Sequence, residues 1–457
     1  MKKIKTDVCV IGAGSGGLSV AAGAVQMGAR VVLIEKGEMG GDCLNYGCVP
    51  SKSLIHAAKA GMGYVQAMEH VQSVIGTIAP HDSQERFEEL GCTVIREFAR
   101  FTSPNTVEAG DFQIKARRFV ISTGSRPFVP PIVGLENTPY LTNETIWDLR
   151  EAPEHLVILG GGPIGMEMAQ AHRRLGCNVT VIDRSTVLAK DDPEAAEVVK
   201  AALRAEGVDL REGEAVASVA PEAGGIAVTL ESGARIVGSH LLVATGRVAN
   251  ADSLALEKAE VNRDRGGVKA DASLRTSNRR IYALGDVVSG NMQFTHVAGY
   301  QGGVAIRSLL FGLPAKATRD HIPHATYTDP ELAQVGMSEA QARKAYGDKL
   351  EIARAEVSGN DRAIATARAG EGFIKVMVVK GRPVGVTIVG PDAGELITLW
   401  SLAISAKLKM SQIAGMIAPY PTLAELNKRV AGAYFTPRLF ENPKLKTAVK
   451  LIQRLLP

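Results

Sequence analysis

Two cysteines, Cys43 and Cys48, stand in the stretch "GGDCLNYGCVPSK" with four residues between them. Thiols so placed could exchange a disulfide, hold a metal or crosslink a loop. A zinc site would need two further ligands in a similar array, and the sequence has no second Cys/His cluster. A crosslink closing so short a loop restricts the unfolded chain little. Redox exchange fits best. Pro50 suits a first helical turn, and "SKSLIHAAKAG" continues as helix, so Cys48 is expected at a helix N-terminus. There the helix dipole and nearby Lys52 favour a thiolate. Gly40, Gly41 and Gly47 are expected to let backbone press against a flat ring.

Two nucleotide-binding patterns supply candidates for that ring. "TDVCVIGAGSGGLSVAAGAVQMGARVVLIEK" reads strand, glycine turn, helix, strand, with Gly12, Gly14 and Gly17 in the turn and Glu35 ending the second strand. "HLVILGGGPIGMEMAQAHRRLGCNVTVIDR" repeats it with Gly160, Gly162, Gly165 and Asp183. From first glycine to acid is 23 positions in both, 12 to 35 and 160 to 183. In such a fingerprint the first glycine makes the turn, the second admits a pyrophosphate and the acid meets a ribose. Two dinucleotides beside a thiol pair suggest electron transfer between a nicotinamide and a flavin. The flavin is expected in the first fold, next to the thiols, and the nicotinamide in the second. Asp183 argues for NADH; Arg184, directly after it, could instead hold the 2′-phosphate of NADPH.

The remainder sets limits. A chain of 457 residues needs several domains. Its net charge of +4 gives no argument for nucleic acid, and no run reaches the roughly 18 apolar residues of a membrane span. The basic start "MKKIKTDVCVIGAG" is not read as a secretory signal, because its apolar run ends in the first fingerprint. Five cysteines are too few and too scattered for a secreted framework, so a cytoplasmic setting is expected. Cys9, Cys92 and Cys177 read as buried thiols, and His56, His321 and His324 have no metal-like spacing.

The motifs, in order, resemble the pyridine nucleotide-disulfide oxidoreductases, the flavoprotein family of dihydrolipoamide dehydrogenase, glutathione reductase and mercuric reductase. They are "GAGSGG", "GGDCLNYGCVPSK", "STGSRP" (122–127), "GGGPIGME", "ATGRVAN" (244–250), "ALGDV" (283–287) and "YTDPELAQVG" (327–336). "CVPSK" is closer to the dihydrolipoamide dehydrogenase and mercuric reductase branches.

The resemblance implies an α/β fold with two Rossmann-like dinucleotide-binding domains and an α+β C-terminal dimerisation domain. Expected boundaries are 1–148 and 268–323 for FAD, 149–267 for NAD(P) and 324–457 for the homodimer interface. It implies that Gly12, Gly14, Gly17, Glu35, Gly124, Ser125 and Asp286 hold FAD. Lys52 would lie at the flavin and pair with Glu167, and Gln293, Phe294, Thr295 and His296 would run beside the flavin ring. Gly160, Gly162, Gly165, Asp183 and Gly246 would hold NAD. Cys48 would face the flavin, and Cys43 would exchange with a small-molecule disulfide, dithiol or other electron acceptor. No metal ligand set is implied.

One position departs from the family. Its disulfide reductases end in His-Pro-Thr-x-x-Glu, with the histidine as proton acceptor for the exchange thiol. Here the stretch is "YPTLAE", with Tyr420 for the histidine and Glu425 kept. Tyrosine, with a pKa of about 10, is a poor base at neutral pH. Tyrosine here resembles mercuric reductase, but that enzyme also carries a C-terminal cysteine pair, and this chain has no cysteine after Cys177. Nor is a metal-binding domain expected ahead of residue 1. Three readings follow: a dihydrolipoamide dehydrogenase-like enzyme, a mercuric reductase-like reductase, and a redox-responsive subunit of a complex. The last would dock through the tail "NPKLKTAVKLIQRLLP". That tail is expected to be helical, with Leu445, Val449, Ile452, Leu455 and Leu456 on one face, packed on its own dimer or docked to a surface or partner.

The nucleotide choice is open to measurement. Asp183→Ser removes a charge that repels a 2′-phosphate while leaving Arg184. The ratio of kcat/KM for NADPH over NADH should rise about tenfold, equivalent to ~1.4 kcal/mol. A wild-type preference for NADPH would mean that Arg184 governs the choice.

Overall fold

A computed structural model describes residues 1–456. The chain parts into two units, residues 1–184 with 211–318, and residues 185–210 with the stretch from 319 onward. The architecture is α/β, with two dinucleotide-binding folds and a C-terminal α+β unit.

In the first unit, strand Lys2–Ile11, helix Ser15–Gln26 and strand Val31–Ile34 form a parallel βαβ motif. Strand Lys2–Ile11 pairs on its other side with Phe112–Ile121, which in turn takes the short parallel strand Ile281–Ala283. Thus a strand 160 positions downstream of Ile121 returns to the same sheet. Val8, Cys9, Val10 and Ile11 are buried in succession, as expected of a parallel strand covered on both faces. The motif recurs in strand His155–Leu159, helix Pro163–Arg174 and strand Asn178–Asp183, extended by the parallel strand His240–Val243.

The two glycine turns match closely. Gly12 has φ +106° and Gly160 φ +107°, values that disfavour any side chain. A Cβ on Gly17 would lie 1.8 Å from the Gly12 carbonyl oxygen, and one on Gly165 would lie 2.0 Å from that of Gly160. Each helix therefore packs onto its own turn only because its third glycine is bare.

The second unit is built on a five-stranded antiparallel sheet. Its spatial order is Pro323–Thr326, Glu331–Gly336, Arg382–Gly390, Phe373–Val379, Leu350–Glu356. Helices Ala393–Ser405 and Glu425–Phe440 share its core, where buried Trp400 donates to Asn427 Oδ1 at 2.7 Å. Helix Pro193–Ala205 belongs to this unit, although it falls within the 149–267 stretch expected to bind NAD(P). Its N-cap, Asp192, lies 2.7 Å from Lys375 Nζ, and Glu339 and Glu194 approach the same nitrogen at 3.0 and 3.3 Å. The terminal helix Pro443–Leu455 follows the expected helical reading, but none of its residues is buried in the chain.

Cys9, Cys92 and Cys177 are buried, as read. Burial raises all three thiols, Cys92 and Cys177 to about 11. His324 pairs with Asp191 at 3.1 Å. Among the described residues, no group of three or more His, Cys, Asp or Glu could hold a metal ion.

The cage around Lys375 carries a stability test. Asp192 and Lys375 are almost fully buried, so Lys375→Met would strand carboxylates without their counter-charge. Breaking such a pair costs about 3–5 kcal/mol. Urea denaturation of Lys375→Met should show a loss of that size, with Lys375→Arg much closer to wild type. A loss below ~1 kcal/mol would mean that solvent already screens the cluster.

Candidate active site

Three helix starts converge on the thiol pair. Cys48 is the first residue of helix Cys48–Lys59, as the sequence suggested. Thr295 is the first residue of helix Thr295–Phe311, and its Oγ1 lies 3.3 Å from Cys48 Sγ. Ser15, first in its own helix, donates to the Thr295 carbonyl at 3.2 Å. Two helix N-termini thus bear on one sulfur, each favouring negative charge there.

The electrostatics of the two thiols diverge. Cys48 is held at about 6, first by the hydrogen bond from Cys43, then against burial by Thr295 and the Lys52 charge. Cys43 is pushed well above the ordinary thiol range by giving that hydrogen bond, by burial and by nearby negative charge. The reduced pair is therefore one thiolate, on Cys48, and one thiol, on Cys43. Asp42 works against the thiolate, raising both sulfurs.

Arg247 answers that charge. Its guanidinium lies 3.0 Å from Asp42 Oδ1, donates to Ser125 Oγ at 2.7 Å and to the Ser125 carbonyl at 3.0 Å, and sits 3.9 Å from Asp286. Ser125 Oγ donates to Asp286 at 2.8 Å. Burial pushes the Asp286 carboxyl up, opposed by the Ser125 hydrogen bond and by Arg247. Asn143 Nδ2 adds a 3.0 Å hydrogen bond to Asp42. The thiol loop, the 122–127 loop and the "ALGDV" turn are therefore tied through one cation. The sequence reading passed over Arg247, Asp42 and Asn143. A signal was present for two of them: an arginine directly after Gly246 and an acid directly before Cys43.

Lys52, one turn along the helix from Cys48, meets Glu167 Oε2 at 2.7 Å, and Glu167 is buried. Each fingerprint acid closes on its own glycine loop. The Ala13 amide donates to Glu35 at 2.7 Å, and the Gly161 amide donates to Asp183 at 2.8 Å. A Cβ on Gly162 would have nothing within 4 Å, nor would one on Gly124 or Gly246; one on Gly14 would meet only Gly41 Cα, at 3.9 Å. These open positions are what close approach of a dinucleotide requires, so the residues fit FAD in the first fold and NAD(P) in the second. Phe294 and His296 stack at 5.4 Å; Gln293 and His296 are exposed. Thr295, read as running beside a flavin ring, bonds to the sulfur itself.

At Gly40, Gly41 and Gly47, protein fills the space that a Cβ would take. Added Cβ atoms would meet Leu44 at 2.5 Å, Gly14 Cα at 2.8 Å and Asp42 Oδ2 at 2.9 Å. The glycines let the thiol loop fold onto itself and onto the first fingerprint.

In the second unit, Tyr420 is 72% exposed and donates to Asp361 at 3.0 Å. That hydrogen bond raises its phenol above the usual value. Glu425 opens helix Glu425–Phe440 and accepts a long 3.5 Å contact from the Thr422 amide. The hydroxyl of Tyr420 thus engages Asp361, not Glu425.

With two dinucleotide cradles and a polarised thiol pair in place, the comparisons with known proteins agree. The pattern described as Pyridine nucleotide-disulphide oxidoreductase matches residues 6–302, and the dimerisation domain of the same family matches 322–431. The chain belongs to this family of FAD- and NAD(P)H-using enzymes. It is 34% identical over 448 residues to a mercuric reductase of Lysinibacillus sphaericus, covering 92% of this chain and 81% of that one. It is 33% identical over 452 residues to a glutathione reductase of Burkholderia cepacia, covering 93% and 98%. Among solved structures it resembles the Cu(II) complex of the HOCl-induced flavoprotein disulfide reductase RclA from Escherichia coli. The TM-score is 0.88 at 28% identity, covering 94% of this chain and 99% of that one.

The asymmetry of the thiols can be measured. Titration of the reduced protein by ultraviolet thiolate absorbance should show a step near pH 6 that is missing from Cys48→Ser. Arg247→Met should move the step to higher pH by exposing the sulfurs to Asp42, and adding Asp42→Asn should reverse the move. An unchanged midpoint in Arg247→Met would mean that Asp42 does not reach the thiolate.

Proposed function

We propose that the chain is an NAD(P)H-linked reductase that delivers electrons through Cys43 and Cys48 to a thiol-seeking acceptor. That acceptor is a soft metal ion carried by thiolates, as the names of the mercuric reductase relatives suggest, or a small disulfide. Dihydrolipoamide oxidation, the reverse direction of dithiol exchange, is the competing reading. The observation that favours the first reading is the Tyr420–Asp361 hydrogen bond. A phenol that already donates to a carboxylate, and is raised by it, stays protonated at neutral pH and is no base for an incoming thiol. Taking a proton from an incoming dithiol needs a base; delivering electrons to a metal ion or a disulfide does not begin with that step.

When bound, FAD supplies the relay by which two electrons pass from the nicotinamide to the disulfide. The residues manage the rest. Reduction breaks the Cys43–Cys48 bond, leaving a thiolate on Cys48 and a proton on Cys43. With a disulfide acceptor, Cys43 attacks one sulfur and passes its proton to the other, which leaves as a thiol. Cys48 then attacks Cys43, re-forms the internal disulfide and releases the remaining sulfur as a thiolate. In balance, NAD(P)H, one proton and a disulfide give NAD(P)+ and two thiols. The stabilised thiolate on Cys48 lets it act as leaving group and then as resolving nucleophile at neutral pH. Lys52 adds positive charge near that sulfur. By family likeness the protein works as a homodimer, with Tyr420 serving the thiol pair of the partner subunit.

The test compares dihydrolipoamide oxidation with reduction of a mercuric–thiolate complex and a small disulfide, in wild type and Tyr420→His. Wild-type dihydrolipoamide oxidation should be slow and should climb with pH as the substrate supplies its own thiolate. Tyr420→His should raise it by about 10²-fold, the lower end of general acid–base effects, and should not accelerate metal-ion reduction. Fast wild-type dihydrolipoamide oxidation, flat with pH, would overturn the assignment.

A further inference from the structure

Helix Pro443–Leu455 is specified by its own ends. Asn442 accepts hydrogen bonds from the amides of Lys444 and Leu445, and Pro443 opens the first turn. At about 100° per residue, Leu445, Val449, Ile452 and Leu456 align in one stripe, with Leu455 beside them. Lys446, Lys450 and Arg454 line up, four positions apart, away from that stripe. Leu445, Val449, Ile452 and Leu455 are 39%, 49%, 49% and 77% exposed. These residues lie along one face of the helix.

The charge of this helix singles out what would cover it. The chain has 52 Lys and Arg against 48 Asp and Glu. Four of those cations, Lys444, Lys446, Lys450 and Arg454, and none of the acids lie in 443–456, so the rest of the chain is formally neutral. The whole positive excess rides on one exposed amphipathic helix. A second copy of the same helix would repel it. The family's dimerisation match ends at residue 431, so the helix lies outside the stretch that family membership ties to subunit pairing. No helix of the described residues is long and apolar enough to cross a membrane. A short helix with an apolar stripe and an all-cationic polar side suits the plane of an anionic bilayer surface.

We propose that Pro443–Leu455 docks the enzyme on anionic lipid, with Leu445, Val449, Ile452 and Leu456 entering the acyl boundary and Lys446, Lys450 and Arg454 meeting the headgroups. In a homodimer two such helices would act together, turning a weak single contact into a firm one.

The holoenzyme should co-sediment with phosphatidylglycerol-containing vesicles about tenfold more than with pure phosphatidylcholine vesicles, and raised salt should weaken the association. Two double variants, Val449→Asp with Ile452→Asp and Lys446→Glu with Lys450→Glu, should each lose it. Both should keep NAD(P)H turnover with an artificial acceptor and the wild-type mass by light scattering. Failure to co-sediment with anionic vesicles would overturn the proposal, as would equal binding to neutral vesicles. A fall in oligomeric mass in the Val449→Asp, Ile452→Asp variant would also overturn it, assigning the stripe to subunit packing.

Discussion

A Cβ on Gly41 would fall 2.8 Å from the Cα of Gly14, so the thiol loop can rest on the first glycine fingerprint only where position 41 is bare. The Gly40 amide donates to the Ala13 carbonyl at 3.0 Å, fixing the approach. From this contact the remaining geometry follows. The dinucleotide turn and the loop that carries Cys43 become one body. Helix Cys48–Lys59 then starts where helix Thr295–Phe311 also starts, and Ser15 ties the latter to the fingerprint helix. A side chain at position 41 would lift the thiols from the nucleotide loop before it affected their chemistry.

The same contact separates what could be read in the sequence from what could not. The doubled βαβ pattern was legible because each unit is local, with strand, turn, helix and acid following within about thirty residues. The helix start at Cys48 was legible for the same reason. The purpose of Gly41 was not, because its neighbour lies 27 positions upstream and a bare glycine carries no mark of what fills its space. Arg247 was hidden similarly. Its three partners, Asp42, Ser125 and Asp286, come from three separate parts of the chain. Lys52 and Glu167 are 115 positions apart, and only likeness to a known family joined them in advance.

Charge placement explains why two chemically identical thiols behave differently. Cys48 gains from everything that meets at its sulfur: the hydrogen bond from Cys43, the Thr295 hydroxyl and the Lys52 charge, all outweighing burial. Cys43 has the opposite balance, since it gives its proton to that hydrogen bond, is buried and faces the Cys48 thiolate. Arg247 keeps Asp42 from reversing the arrangement. Because it also holds Ser125 and approaches Asp286, the charge balance at the thiols and the position of the 122–127 loop depend on one guanidinium.

The segment around Tyr420 keeps the acid of the family's motif and replaces its histidine with a tyrosine. The acid that follows it, Glu425, is retained, yet it turns to the Thr422 amide, while the phenol donates to Asp361. An imidazole in that position could take and return a proton within the working pH range. A phenol held above its usual value keeps its proton at neutral pH and cannot act as that base. On the proposed reading, the thiol pair and the Lys52–Glu167 bridge stay in place while chemistry that begins with proton removal loses its base, and electron delivery outward does not depend on that base.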